Sequence, residues 1–149
     1  MLPFISAFIY LRTATFLRGF GAATALNGFI FVLFLVAGEA DTAFIIGMLA
    51  VTALAEIIRH FNRNDAKKGV RLSFVPFAFS FFTYTLHWWT NTEGSLAAAV
   101  KEVPAGYDQL MVPVIENVPL LVIVLVFTIP IAIFAMRLAA CVMKKTLQN

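Results

Sequence analysis

A chain of 149 residues that is 61% hydrophobic and only 13% charged, with a formal net charge of +3, departs far from soluble domains, which run near half apolar and a quarter charged. One domain is the most such a length accommodates, and apolar residues in long blocks rather than alternating or one-faced patterns point to lipid as the solvent. The expected class is therefore an all-α integral membrane protein with four transmembrane helices arranged as two antiparallel hairpins.

The first 19 residues are apolar but interrupted by Pro3, Arg12 and Arg18. They read as an amphipathic, interfacial N-terminal segment, and the order of apolar stretch before arginines is the reverse of a cleaved signal peptide. Helix one is predicted over about 20–37, close to the length that crosses the hydrocarbon. Gly21, Ala25 and Gly28 share one face there, where small side chains let another backbone approach, and Asn27 is expected as interhelical glue.

A short turn at Glu39–Asp41 returns helix two, about 42–58, beside helix one. Ala43, Gly47, Ala50 and Ala53 supply matching small positions. Glu56 stands one turn from Arg59 and His60, a spacing that suggests a local ion pair.

A basic loop follows over 59–71, and Arg59, Arg63, Lys67, Lys68 and Arg71 make it the contact expected for anionic lipid or for a cytoplasmic protein partner. Only Phe61 interleaves these charges, so nucleic-acid binding has no separate signal. Helix three, about 72–89, is rich in Phe and ends at Trp88 and Trp89, an interface anchor.

The outer half of helix three carries Ser80, Thr83, Tyr84, His87 and Asn91 at spacings of three and four, so they share a face. That stripe is expected to point into the bundle toward Glu116 and Asn117, with a His87–Glu116 contact as the sharpest structural expectation. It is also where a ligand or ion pathway would lie, since ionisable groups in spans often mark one.

The extracytoplasmic loop, 90–113, contains Leu96, Val100, Val103 and Leu110 as the apolar side of a short interfacial helix ended by Pro104. Helix four, about 114–136, is apolar all round over 120–127, and Pro130 should kink it for packing. Placing both termini and the basic loop inside puts ten of the eleven Lys and Arg residues on one side and leaves only Lys101 outside. The implied location is the bacterial cytoplasmic (inner) membrane.

No glycine-rich phosphate loop, nucleophile elbow or metal-ligand spacing occurs. Cys141 is a lone cysteine, and His60 and His87 fall at opposite ends of the bundle, so no cofactor and no metal are expected. What remains is a non-enzymatic small membrane protein acting by helix packing and partner binding, either a homo-oligomer or a subunit of a larger complex of the secretion, immunity or phage-defence type. The alternative is a small oligomeric channel or transporter using the outward-facing stripe of helix three.

Overall fold

The computed structural model describes residues 2–17, 20–102 and 106–146. Arg18 and the predicted helix stop at Val103 and Pro104 lie outside them, as do the side chains of Glu102, Asp108, Lys144 and Lys145. The described residues are all-helical: α1 Leu2–Phe16, α2 Ala22–Ala37, α3 Thr42–Phe61, α4 Ala66–Ala78, α5 Ser80–Thr85, α6 His87–Thr90, α7 Thr92–Glu102, α8 Tyr107–Ile115 and α9 Val118–Thr146. Two of them, Thr42–Phe61 and the 118–143 part of α9, are long and apolar enough to cross a bilayer, and Ala22–Ala37 is a shorter apolar helix.

The α2–α3 hairpin forms as its turn residues dictate. Gly38 adopts φ 78°, and its amide and that of Glu39 return to the Leu35 and Phe34 carbonyls, the left-handed stop for which glycine has no steric penalty. Asp41 then starts α3 by accepting the Phe44 amide at 2.6 Å.

Helix three of the sequence reading is longer and more broken than expected. Asp65 accepts the Lys68 amide at 3.0 Å, so α4 begins inside the basic loop at Ala66 rather than at residue 72. Pro76 has no amide to donate, and the helix is interrupted at Phe79 and Leu86. Both residues keep right-handed helical angles, so α4, α5 and α6 follow one path, and α3 packs against all three.

The last helix starts later and runs further than predicted. Residues 107–115 form the separate α8, and Asn117 caps α9 by accepting the Leu120 amide at 3.0 Å. Pro130 is exposed and sits inside an unbroken α9.

The largest departure concerns the first residues, which pack into the bundle instead of forming a separate amphipathic strip. Helix α1 packs on α9, α4 and α2, and Phe4 meets Phe134 edge to face at 6.3 Å, halfway along α9. Lower down, Leu11 and Ala14 share a cavity wall with Ala140 and Met143. The two helices therefore run parallel, and α1 begins at mid-height of α9 and descends toward the basic end.

Small residues make that packing close. Ala7 and Ala14 bracket Tyr10 on the buried side of α1, and Ala132, Ala135 and Ala139 line the facing side of α9. Tyr10 is fully buried, shares a hydrogen bond of 2.8 Å with Ser73 of α4, and packs its ring at a tilt 4.6 Å from Phe77 and 5.5 Å from Phe74. Dispersion and interhelical hydrogen bonds are the forces left to hold helices together in lipid, and this seam supplies both.

Gly47 has a similar role on another seam. A Cβ placed there would come within 3.1 Å of the Leu86 and Thr83 side chains, so α3 and the α5–α6 stretch approach closely enough that a larger residue would have to push these side chains aside. Replacing Gly47 by Leu should separate the two helices and lower the midpoint of thermal unfolding in detergent, whereas Tyr10→Phe, which removes one buried hydrogen bond, should cost about 1 kcal/mol.

Candidate functional site

Two polar constellations stand out, one at each end of the bundle. At the basic end the α1–α2 junction presents a problem that the sequence itself cannot solve locally. Residues 18–21 hold no Ser, Thr, Asp or Asn to cap α2, and Gly21 enters the helix at φ 104° with no side-chain cap of its own.

Glu56 of α3 provides the cap. Its Oε2 accepts the Gly21 amide at 3.0 Å, and Oε1 accepts the amides of Ala23 at 2.9 Å and Thr24 at 3.1 Å. The carboxylate, 4% exposed, therefore faces the positive end of the α2 dipole, where negative charge is favoured.

One turn on, Arg59 does the converse. Its Nη2 donates to the Leu17 carbonyl at 3.1 Å and the Ala14 carbonyl at 3.5 Å, at the negative end of α1. Nη1 is buried without a partner. The expected local pair of Glu56 with Arg59 or His60 is thus replaced by a clamp across two helix ends, and no ion pair joins them among the described residues.

Around this clamp the ends of α1, α3, α4 and α9 line a half-open cavity of about 690 Å³. Arg59, His60, Arg63, Lys67 and Arg71 all reach its wall, whereas Lys68 lines an adjoining cavity of about 550 Å³ with Asp65 and Arg137. Of the predicted basic stripe, only Arg59 is buried.

At the opposite end, the polar stripe mostly serves the bundle's own structure. Thr83 donates to the Ser80 carbonyl at 2.6 Å, and Tyr84 lies 4.7 Å from Phe34, joining this helix to α2. His87 Nδ1 is 2.6 Å from the Tyr84 carbonyl, and its own carbonyl accepts from Ser95 at 3.0 Å. Ser80 Oγ is buried and unpartnered.

The expected His87–Glu116 contact is absent, since Glu116 is exposed and no hydrogen bond joins the two. What spans this end instead is Trp89, whose indole donates to the Ile115 carbonyl at 3.2 Å. Chain geometry explains the miss: α8 intervenes before α9, so Glu116 occupies a turn rather than a facing helix.

The predicted small-residue faces are placed as follows. Asn27 is buried and donates to Thr52 Oγ1 at 2.7 Å, joining α2 to α3. Ala43 is half-buried, and Gly47 meets α5 and α6 rather than α2. Ala25, Gly28 and Ala50 are exposed, and nothing lies within 4 Å of a Cβ built on Gly28. A buried small-residue seam lies between α1 and α9, formed by Ala7, Ala14, Ala132, Ala135 and Ala139 at helical spacing.

No group of three or more His, Cys, Asp or Glu side chains that could hold a metal occurs among the described residues. Cys141 is exposed. The clamp should be tested first: Glu56→Ala strands three amides in an apolar setting and should cost about 3 kcal/mol or more. Glu56→Gln, which still accepts, should lose less, both read by thermal unfolding in detergent and by protease cutting at residues 17–21.

No curated protein and no solved structure matches this chain. A family match does cover its full length, residues 1–149, under the description "Hypothetical bacterial integral membrane protein (Trep_Strep)". An apolar composition, a bundle of apolar helices and that match over every residue agree, and the chain belongs to the Trep_Strep family of bacterial integral membrane proteins.

Proposed function

We propose that the protein is a non-enzymatic subunit of the bacterial cytoplasmic membrane that works by packing its helices against a partner, either further copies of itself or a larger membrane complex. The observation that carries this reading is the open small-residue surface of the α2–α3 hairpin. Ala25 and Gly28 on α2 and Ala50 and Ala53 on α3 face outward, beside large exposed residues such as Phe29, Leu49 and Leu54. Small residues on an open membrane helix let another helix approach closely, and bulky neighbours deepen the contact.

Four crossings, by α2, α3, the α4–α6 path and α9, fit this reading. Sixteen residues of α2 give about 24 Å of helix, short for a bilayer but extended by the turns at each end. With the basic end inside, as the excess of Lys and Arg favours, the C-terminus of α9 is cytoplasmic, while α1 begins within the depth of the bundle.

Polar groups inside the helices favour a structural over a catalytic use. Glu56, Arg59, Asn27, Tyr10 and Thr83 each make at least one hydrogen bond within the chain, although Arg59 Nη1 and Asn27 Oδ1 are left without a partner among the described residues. The channel alternative rests on the helix-three stripe, and its strongest element is the unpartnered Ser80 hydroxyl, which gives it less support than the open hairpin gives partner binding.

Native mass measurement after mild detergent extraction tests the proposal. An assembly larger than 16.4 kDa that falls to the single chain in Gly28→Leu, with helicity unchanged, is the expected result. A single chain with no companion in the wild type would remove the reading.

A further inference from the structure

We propose that the cavity at the basic end is a binding site for the phosphodiester headgroup of an anionic phospholipid from the leaflet on that side. Four cationic side chains, Arg59, Arg63, Lys67 and Arg71, reach its wall together with His60, and among the described residues no Asp or Glu does. Like charges gathered on a low-dielectric wall repel one another and focus a field that a counter-anion relieves.

Arg59 sharpens the case. It is 5% exposed, its Nη2 is committed to the α1 carbonyls, and its Nη1 is buried with no hydrogen-bond partner among the described residues. Arg59 therefore adds fixed positive charge to the wall, while the exposed Arg63, Lys67 and Arg71 supply the N–H groups open to a phosphate oxygen, which a guanidinium fork matches well.

Shape and position select a lipid over a free anion. At about 690 Å³ the cavity lies in the ~300–1,000 Å³ range of pockets that take whole small molecules, far more than inorganic phosphate fills. Its remaining wall is largely apolar, with Leu11, Phe20, Ala140 and Met143 beside the cations, which suits the glycerol and upper acyl region below a headgroup. It also sits where membrane-crossing α3 ends, with Phe61 80% exposed next to it.

The adjoining cavity extends the basic surface rather than neutralising it. Lys67 and Arg71 line both spaces, and Lys68 and Arg137 outnumber Asp65 in the second. A headgroup in the first cavity is therefore met by cations on two sides.

The site depends on the chain lying in a bilayer and not on the partner-binding reading, so the two fail separately. The test is native mass spectrometry of the detergent-purified full chain, titrated with phosphatidylglycerol or phosphatidylcholine of identical acyl chains. Phosphatidylglycerol should bind about tenfold more tightly or better, as roughly additive contributions from several surface cations imply. The combined Arg63→Gln, Lys67→Gln, Arg71→Gln variant, checked for helicity, should abolish that preference.

Arg63→Gln alone, in the exposed turn between α3 and α4, should weaken it in part and serves if the triple variant does not fold. Lys101→Gln, on the far loop, should leave it intact. Equal binding of the two lipids, a preference that survives in the variants, or displacement of phosphatidylglycerol by glycerol 1-phosphate at equal concentration would overturn the proposal, the last in favour of a soluble anion.

Discussion

Backbone groups at helix ends must find partners, and in an apolar setting water cannot supply them. This chain meets that constraint at one place on which the rest depends. Glu56 and Arg59, a turn apart on α3, hold the start of α2 and the end of α1. Each charge opposes a helix dipole of the other sign, so two residues that look like an ion pair act instead as a joint between three helices.

Fixing that joint sets where α1 lies, and α1 in turn decides the shape of the basic end. Held by Arg59 at its last turn, α1 lays Ala7, Tyr10 and Ala14 against α4 and the alanine seam of α9. Its lower residues then form one wall of the cavity whose other walls carry the cations of α3 and α4. The opposite end is tied by different means, with the Phe34 and Tyr84 rings in tilted contact between α2 and α5 and Trp89 bonded to α8.

The open surface has its own logic. Residues Ala25, Gly28, Ala50 and Ala53 resemble the buried alanines of α1 and α9 in size, yet no helix among the described residues covers them. Close packing between α2 and α3 runs instead through Asn27, Thr52 and the Phe34–Phe44 contact at 5.0 Å. One small-residue surface is used within the chain and another is left exposed.

Sequence alone determined the solvent and the rough element plan, because hydropathy blocks, interface tryptophans and clustered cations are properties of composition and order. The class, the α2–α3 hairpin and the interhelical role of Asn27 were legible in this way. Tertiary structure decided which small faces meet, since Ala7 and Ala132 are separated by 125 positions and nothing local links them. It also decided that Glu56 caps a helix rather than pairing with Arg59, a choice fixed by where the uncapped end of α2 comes to rest. Residue spacing tells which side chains share a face, but only the packed chain tells what that face meets.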